Sequence, residues 1–460
     1  MIKVFSHWIH WKTLLQIVLD ILLPVVCVVV AVYWWGVGSQ ENTELVVLYS
    51  AIFALLMVVL NGWLGLYQRS HSRTVAQTRA RAVLSLYLSV PLAYCVFSLL
   101  SIADANQKLL LLSGLAALFG TLAHRVYTMH NRAGAMMVHR VLIFGAGPEA
   151  KSVGKVLKKS DPDIEIVGFY PGPTDAEICV PQQLLLPRTA SISDTASNLN
   201  VDEIIIAVLE RRGGVLPLRE LLDCKLSGVK VLDLASYFER ALGQIRLDAL
   251  RAGWLIFGEG FRQGWWRTFV KRVFDIVAAS ILLLLAMPVM LVTAALIVLE
   301  DGFPIFYKQE RVGLNGRLFN VVKFRSMRKD AESDGKPRWA TANDNRTTRV
   351  GRIIRKVRID ELPQLFSVLT GDMSLVGPRP ERPYFVDQLT KDIPFYAVRH
   401  SVKPGVTGWA QVSYHYGASV DDSIQKLQYD LYYVKNHTLF LDIVILFETV
   451  GVVLTGKGAQ

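Results

Sequence analysis

Cysteine and charge are both scarce in this sequence. Only 4 of its 460 residues are cysteine, and none of them belongs to a C-x-x-C pair. Scattered cysteines argue against a disulfide framework and against a structural zinc site, so a reducing compartment is the default. Charged residues make up 19% of the chain and hydrophobic residues 52%. This balance excludes a disordered chain and argues against a wholly soluble enzyme.

Acidic residues are in deficit relative to basic ones. Lysine and arginine together number 50 against 39 aspartate and glutamate residues, which gives a formal charge of +11. Such an excess suits an anionic partner, such as nucleic acid, a phospholipid surface or phosphorylated substrates. The length is enough for about three domains.

Long apolar runs occupy the first 135 residues. Each is close to the roughly 20 residues that a membrane-spanning helix needs, which predicts a four-helix transmembrane bundle over residues 1–135. The loop after the second run carries several arginines, whereas the loops after the first and third carry no lysine or arginine. The positive-inside rule therefore places both ends of the bundle in the cytoplasm. The four runs are residues 14–35, 45–67, 82–102 and 109–127.

One acidic residue, Asp20, interrupts the first apolar run. Ionisable residues inside a membrane often mark function. Asp20 lies about two turns into the predicted helix, with Lys12 nearby in the sequence, so we interpret it as a structural contact between helices.

Residues 140–250 carry the pattern of a doubly wound α/β domain. An apolar strand is predicted over 141–144, and the turn after it contains Gly145 and Gly147 ahead of a helix-like stretch. This turn resembles the G-x-G-x-x-G/A motif that places a phosphate at a helix N-terminus. The acidic residue that would bind the ribose of a dinucleotide is absent, since that position reads FYPGP over 169–173. We expect a Rossmann-like domain with a structural or regulatory role, in which any cofactor binding at the two glycines is weak.

The third predicted domain, residues 265–460, begins with an apolar run over 276–299. A helix of that length, at about 1.5 Å per residue, can cross a bilayer. Pro288 removes a helix hydrogen bond and clashes with the preceding turn, although a kinked spanning helix also tolerates it. The segment that follows is polar and strongly basic, with features that suit phosphate groups, and such a site makes sense in the cytoplasm, where activated nucleotides exist. We therefore predict a re-entrant helix hairpin over about 272–299, broken at Pro288, in a mainly α catalytic domain.

Basic residues after this run suit phosphate groups. A short hairpin predicted from residue 307 onward continues into Lys323 and Arg325, and arginines then recur at helical spacing up to Arg355. An amphipathic basic helix suits a surface of anionic headgroups, although a solvated charged face without a ligand fits the same pattern. Lys323, Arg325 and Arg355 are candidate substrate-binding residues.

Adjacent carboxylates at Asp360 and Glu361 are the candidate catalytic pair. They precede an apolar-periodic helix with Pro363 in its first turn, so an N-cap and a favourable first-turn acid explain them equally well. In the functional interpretation one carboxylate attacks phosphorus and the other holds Mg²⁺, which attack on a charged diphosphate almost requires. Arg379 lies between prolines that fix a guanidinium fork for phosphate, and Lys403 adds a cation in another turn-rich segment.

At these motifs the sequence resembles the bacterial sugar transferase family, the monotopic polyprenyl-phosphate phosphoglycosyl transferases. The resemblance covers the chain from about residue 271 to its end. With the bundle and the central domain, the whole chain resembles the long-form undecaprenyl-phosphate hexose-1-phosphate transferases that start exopolysaccharide repeat units. The matching stretches are KRVFDIVAAS, KQERVGLNGRLFNVVKFRSM, DELPQLFSVLTGDMSLVGPRP, VKPGVTGWAQV and LQYDLYYVKNHTLFLDI.

The resemblance implies a reaction and roles for single residues. It implies transfer of a hexose-1-phosphate from a UDP-hexose to undecaprenyl phosphate at the bacterial inner membrane, with release of UMP and no nucleic acid partner. A covalent phosphosugar intermediate would form on Asp360, with Mg²⁺ held through Glu361. Arg379 would clamp phosphate and Asp430 would lie near the site. The family also implies a hairpin broken at a proline and a catalytic domain on the cytoplasmic side, and a homodimer is a reasonable assembly.

Two alternative functions are left open by the residues alone. An NAD-dependent nucleotide-sugar enzyme would act through the central domain, but neither Tyr170 nor Tyr237 has the lysine four residues later that such an enzyme uses. A non-enzymatic lipid-carrier transporter or scaffold would need intramembrane charges along a path, and Asp20 is the one evident in the sequence.

Overall fold

The computed structural model of the protein describes most of the chain. The described residues are 2–4, 7–9, 11–35, 40–64, 66–67, 75–102, 107–130, 139–160, 164–173, 175, 177–188, 191–208, 216–248, 261, 264–328, 346–414 and 419–455. The chain divides into two compact units, Ile9–Ala241 together with residues 1–2, and Leu242–Gln460 together with residues 3–8. The second unit thus begins ahead of residue 265, where the catalytic domain is predicted to start.

Four long apolar helices begin the first unit, so the four predicted runs are confirmed as helices. Three of them contain a stretch long and apolar enough to cross a membrane, over Thr13–Trp34, Glu44–Gly62 and Arg81–Leu99. Within the described residues, the apolar part of the fourth is the shorter Leu111–His124. The elements are β1 (Ile2–Val4), β2 (His7–Ile9), α1 (Trp11–Trp35), α2 (Gln40–Trp63), α3 (Val75–Ile102) and α4 (Gln107–His130).

A buried polar cluster joins the four helices. Asp20 Oδ2 accepts hydrogen bonds from Asn61 Nδ2 at 3.0 Å and from the Tyr67 hydroxyl at 2.5 Å. His124 Nε2 lies 3.3 Å from Asp20 Oδ1, and the Ser85 hydroxyl donates to Asn61 Oδ1 at 2.5 Å. Buried polar groups need such partners, and here they come from every helix of the bundle. The prediction that Asp20 makes a structural helix–helix contact is confirmed.

A four-stranded parallel sheet follows, as the βαβ pattern predicts. Its elements are β3 (His139–Phe144), α5 (Pro148–Ser160), β4 (Ile164–Tyr170), α6 (Ile192–Asn198), β5 (Glu203–Ile206), α7 (Leu218–Leu226), β6 (Lys230–Asp233) and α8 (Leu234–Leu242). The spatial order is β4-β3-β5-β6. Central strand β3 pairs in parallel with both neighbours, Val141 lying opposite Ile166 and Glu203, and its register with β4 shifts by one residue between Val141 and Leu142. Its apolar run is fully buried, which is the rule for strands inside a parallel sheet.

The second unit is mainly helical. Its elements are α9 (Trp265–Asp301), β7 (Phe306–Val312), β8 (Leu318–Phe324), α10 (Arg349–Lys356), α11 (Gln364–Thr370), β9 (Ser374–Val376), α12 (Pro383–Asp392), β10 (Gly405–Thr407), α13 (Trp409–Ser413), α14 (Val420–Asn436) and α15 (Leu439–Thr455). Strands β7 and β8 form the predicted hairpin, whose turn uses positive φ at Asn315 (53°) and Gly316 (78°). Strands β9 and β10 pair in parallel.

Pro288 does not divide the apolar segment into two helices, so the predicted break at this residue is wrong in that respect. Helix α9 runs through Pro288 as one element of 37 residues. Proline removes a single backbone hydrogen bond, and the turns on either side preserve the helix. Met287 precedes the proline and offers no hydrogen-bonding side chain to stabilise a break. The re-entrant path of the segment stays a prediction.

One face of α9 packs along its length against the rest of the second unit. The buried residues recur at intervals of three, four or seven, which places them on a single stripe. They are Asp275, Ala279, Leu283, Met290, Thr293 and Ile297. The helix contacts α10, α11 and β9. Large apolar side chains on its other faces are exposed, among them Leu284, Leu285 and Leu291.

Gly120 provides a test of the packing between α1 and α4. A Cβ atom at this position would lie 2.9 Å from the carbonyl oxygen of Leu23 and 3.1 Å from Cys27 Sγ. We expect Gly120→Ala to push the two helices apart and to lower the Tm of the detergent-solubilised protein by about 3 °C or more. Gly114→Ala is the matched control, because its Cβ would be 3.7 Å from Phe97, an ordinary contact. Equal Tm values for the two variants would contradict this packing.

Candidate active site

The Asp360–Glu361 pair lies in a tight turn between α10 and α11. Arg358 adopts the left-handed conformation with φ 61°, and Ile359–Glu361 forms one turn of 3₁₀-helix. Helix α11 begins only after Pro363, and no side chain caps its N-terminus. The alternative interpretation of these acids as an N-cap is therefore wrong. Each carboxylate residue is only 8% exposed, so its charge needs compensation.

Glu361 receives that compensation from three cations. Lys323 Nζ and Arg379 Nη2 each donate a hydrogen bond to Glu361 Oε1 at 2.8 Å. Arg358 Nη1 lies 3.9 Å from Oε2. Burial alone would raise the pKa of Glu361, but the charges of Arg379, Lys323 and Arg358 hold it well below its usual range. Glu361 is therefore ionised at neutral pH.

Asp360 lies in a different environment from its neighbour. Among the residues that the structure describes, none makes a hydrogen bond or ion pair with the Asp360 carboxylate. Burial and the charge of Glu361 raise the pKa of Asp360 to about 6, against the opposing charges of Lys323, Arg379 and Arg355. Above that pH the group is an anion whose lone pairs are not shared with a donor. This is the state that a nucleophile requires.

The pair fits Mg²⁺ only together with substrate oxygens. Within the described part of the chain, no group of three or more His, Cys, Asp or Glu side chains is arranged to hold a metal. Mg²⁺ commonly takes one or two carboxylates and completes its shell with waters and substrate phosphates. Glu361 Oε1 already accepts from two donors, whereas Oε2 has one cation at 3.9 Å. Of the two Glu361 oxygens, Oε2 is therefore the one with room for a metal, and Mg²⁺ binding through Glu361 stays a prediction.

Arg379 is held in place by a second buried ion pair. Arg399 Nη2 donates to the carbonyl oxygen of Arg379 at 2.9 Å and lies 2.8 Å from Asp430 Oδ2. Arg399 Nη1 donates to the Tyr396 hydroxyl at 2.8 Å. The resemblance implies that Asp430 lies near the site, and Arg399 connects its carboxylate to the backbone of Arg379. Substrate binding by Asp430 stays a prediction.

Arg325, a predicted substrate-binding residue, contacts the backbone at the end of α9. Its Nη2 atom donates to the carbonyl oxygens of Asp301 at 3.0 Å and of Gly302 at 2.6 Å. The guanidinium therefore closes the C-terminal end of α9. Substrate binding by Arg325 stays a prediction.

Arg355 and Lys403 also differ in their surroundings. Arg355, in the last turn of α10, contributes positive potential at Asp360. A Cβ at Gly371 would be 3.6 Å from Lys403 Nζ and 3.2 Å from Arg272 Nη2, so these two cations are neighbours. Burial and then Arg272 lower the pKa of Lys403. Of the predicted cations, Arg355 thus joins Lys323 and Arg379 around the carboxylate pair, and Lys403 belongs to a separate cluster near the start of α9.

The glycine turn of the central domain is closed by one of its own carboxylates. Asp175 Oδ2 accepts hydrogen bonds from the backbone N–H groups of Ala146 and Gly172, both at 2.7 Å. Gly145 has a φ of +122°, and a Cβ on Gly147 would be 3.7 Å from Asp175 Oδ1. A phosphate at this turn would have to displace Asp175, because the carboxylate already uses the donors that face it. Cofactor binding at Gly145 and Gly147 stays a prediction.

Two cations that complete the site were missed from the sequence. Arg358 directly precedes the carboxylates, but its left-handed backbone conformation is rare for arginine and no local pattern indicates it. Arg399 pairs with Asp430 across 31 residues, a separation at which no spacing rule applies. The adjacent acidic pair was the one local signal that could have directed attention to Arg358.

A buried acidic pair surrounded by fixed cations, in a domain packed along an apolar helix, defines a membrane-associated site for phosphate chemistry. Residues 266–456 match the family model described as bacterial sugar transferase. The chain is 46% identical over 242 residues to the UDP-N-acetylgalactosamine-undecaprenyl-phosphate N-acetylgalactosaminephosphotransferase of Aeromonas hydrophila, covering 53% of this chain and 56% of that protein.

Two further relatives carry names for other sugars. The UDP-glucose:undecaprenyl-phosphate glucose-1-phosphate transferase of Xanthomonas campestris pv. campestris is 32% identical over 347 residues, which cover 73% of this chain and 70% of that protein. The undecaprenyl-phosphate galactose phosphotransferase of Salmonella typhimurium is 42% identical over 205 residues, 42% of each chain. The match thus spans about half the length of the Aeromonas and Salmonella relatives.

The chain belongs to the bacterial sugar transferase family. Its family model covers the catalytic segment, and the Xanthomonas relative aligns over 73% of this chain. The resemblance that the sequence motifs indicate is thereby confirmed.

The buried ion pair of Arg399 and Asp430 can be tested for its effect on the position of Arg379. We expect Asp430→Asn to leave a buried guanidinium short of its countercharge, because removal of one partner of a buried ion pair is strongly destabilising. The Tm should fall, and transferase activity should fall with it as Arg379 loses its anchor. Asp387→Asn, an exposed position on α12, is the control and should change neither quantity. Unchanged Tm and activity in Asp430→Asn would exclude the proposed anchoring of Arg379.

Proposed function

We propose that the protein transfers a hexose-1-phosphate from a UDP-hexose to undecaprenyl phosphate and releases UMP. The observation that carries the proposal is the unequal environment of the two carboxylates, in which Glu361 binds the cations and Asp360 stays open. The names of the relatives agree on undecaprenyl phosphate as the acceptor and differ in the sugar. The donor is therefore proposed as a class, the UDP-hexoses.

The reaction takes two displacements at one phosphorus atom. In the first, an Asp360 carboxylate oxygen bonds to the phosphorus that carries the sugar, while the bond from that phosphorus to the bridging oxygen breaks and its electron pair leaves with UMP. In the second, a phosphate oxygen of undecaprenyl phosphate bonds to the same phosphorus and the Asp360 carboxylate leaves. The aspartate is regenerated, and the sugar phosphate is now on the lipid.

Fixed cations make the first displacement feasible. An anion that attacks a diphosphate is repelled unless the charge is neutralised, and preorganised donors do this without reorganisation cost. Lys323, Arg379 and Arg355 all contribute positive potential at Asp360. Mg²⁺, held by Glu361 and phosphate oxygens, would supply further charge neutralisation.

The packing of α9 supports a re-entrant path at the cytoplasmic face of the inner membrane. Near one end of the helix, Arg272 donates to the carbonyl oxygens of Val368 and Leu369 at 2.6 and 2.8 Å. At the other end, Glu300 accepts from the backbone N–H groups of Arg349 and Val350 at 2.7 and 2.9 Å. The same polar unit therefore contacts both ends.

A full span would carry one of those ends across the bilayer, away from the unit that it contacts. The buried stripe between the ends also speaks against a full span. If α9 crossed the membrane, the charged domain packed along it would have to enter the hydrocarbon region of the bilayer. We infer that both ends of α9 lie on the cytoplasmic side. The exposed apolar faces of the helix then contact lipid.

UMP release without acceptor tests the proposed chemistry. Incubation of the full-length protein with a UDP-hexose alone should release about one UMP per active site and then stop, because the sugar phosphate stays on the enzyme. Asp360→Asn should release none, since an amide is not the required nucleophile. Asp392→Asn, at an exposed position, should behave as wild type.

The result for Asp360→Asn decides the nucleophile. Continuous UMP release or full transfer by this variant would exclude Asp360. Release of UMP from the wild type only after acceptor is added would exclude the two-step reaction and favour direct transfer between the substrates.

Cysteine labelling tests the path of α9. Phe303, two residues beyond the helix, is 68% exposed, and Glu44 is an exposed residue at the predicted periplasmic start of the second span. In a background without the four native cysteines, a membrane-impermeant maleimide added to the periplasmic side should label Glu44→Cys and leave Phe303→Cys unlabelled. After the membrane is opened, Phe303→Cys should react. Periplasmic labelling of Phe303→Cys would show that α9 is a full span.

A further inference from the structure

Residues 243–246, which follow α8 directly, run across α13 and α14 and are called the strap. Trp409 Nε1 donates to the carbonyl oxygen of Gly243 at 2.7 Å. The backbone N–H of Ile245 donates to the carbonyl oxygen of Gln428 at 3.0 Å. Ile245 is 1% exposed and belongs to the core of the second unit. The strap is thus fixed to that core by two main-chain contacts and one buried side chain.

Gln244 adds side-chain contacts at the same place. Its Nε2 atom donates to Gln425 Oε1 at 2.9 Å and to Gln428 Oε1 at 2.5 Å. Gln244 is 6% exposed and Gln428 is 5% exposed. Buried amides that are paired in this way fix the register of the segment on α14, because any shift would leave polar groups without partners.

Only glycine suits the first position of the strap. Gly243 has a φ of +59°, and a Cβ there would lie 2.9 Å from Trp409 Cζ2. Any other residue would meet both backbone strain and the indole ring. The close approach is what brings the Gly243 carbonyl oxygen to Trp409 Nε1.

The strap and its partner Trp409 contact α14 on either side of Asp430. Gln428 precedes Asp430 by two residues, and Tyr432, which follows it by two, packs against the Trp409 ring with centroids 6.0 Å apart. Asp430 in turn holds Arg399, which holds the carbonyl oxygen of Arg379. A continuous set of contacts therefore runs from the strap to the cation that neutralises Glu361.

We propose that the strap is a positioning element for Arg379, which it acts on through α14, Asp430 and Arg399. This inference rests on the proposed function, because Arg379 matters only where Glu361 and Asp360 carry out the reaction. The strap belongs to the segment that joins the sheet-containing unit to α9, so the catalytic segment is positioned in part by residues that lie ahead of it in the chain.

Displacement of the strap should slow the first displacement at phosphorus. If α14 shifts, Arg379 moves away from the carboxylate pair and its positive potential at Asp360 weakens. The first displacement is then slower in every molecule, although each molecule can still complete it. The rate constant of UMP release in the absence of acceptor therefore falls, while the amount released stays at about one UMP per active site.

The test compares two glycine variants of the full-length protein. We expect Gly243→Ala to lower the rate constant of UMP release by about tenfold and to leave the amount released per active site unchanged. Gly228→Ala is the control: it also places an alanine at a positive φ, since Gly228 has a φ of +98°, but a Cβ there meets nothing within 4 Å. It should leave both the rate constant and the amount released unchanged.

A second variant separates positioning from folding. Trp409→Phe removes the hydrogen bond to Gly243 and keeps an aromatic ring against Tyr432. It should lower the rate constant of UMP release in the same direction, with little change in the amount released or in Tm. Should Gly243→Ala fail to fold, Trp409→Phe decides the question alone.

The outcomes separate this inference from the proposed function. A wild-type rate constant of UMP release in a folded strap variant would overturn the inference, as would a fall in Tm or in the amount of UMP released without a fall in the rate constant. In either case the proposed function stands if the wild type releases UMP. Absence of UMP release from the wild type would instead contradict the proposed function itself.

Discussion

Neutralisation of the Glu361 carboxylate is the condition on which the rest of the site depends. Two adjacent carboxylates repel each other, and burial makes both charges more costly. Lys323 and Arg379 donate to one oxygen of Glu361, so the negative charge of the pair is fixed on that residue. Asp360 then keeps a raised pKa and, among the described residues, has no hydrogen-bonding partner. The two proposed roles follow from which carboxylate the cations contact, since the side chains differ by a single methylene.

The cations come from separate parts of the second unit and are fixed independently. Lys323 stands near the end of the β7–β8 hairpin, Arg358 on a left-handed turn, and Arg379 on a proline-flanked segment whose carbonyl oxygen is held by Arg399. Helix α9 contributes no group to the carboxylate pair. Its buried stripe packs against α10, α11 and β9, the elements that flank the site.

Sequence reasoning succeeded where the signal is local and failed where it is not. The apolar runs, the parallel sheet and the acidic pair are set by neighbouring residues, through hydrophobic length, alternation and adjacency. The surroundings of Asp430 depend on Arg399, and the closed glycine turn depends on Asp175, whose partner Ala146 is 29 residues away. The continuity of α9 at Pro288 likewise accompanies packing along the length of the helix. Contacts with distant segments enter all three cases.

The most direct test of the assigned roles is to locate the covalent adduct. Wild-type protein incubated with a UDP-hexose alone is quenched in acid and digested, and the peptide that contains both carboxylates is fragmented in a mass spectrometer. We expect this peptide to gain the mass of a hexose phosphate, and we expect the fragments to place that added mass on Asp360. An adduct on Glu361 or on any other residue, or unmodified peptide in protein that has released UMP, would contradict it.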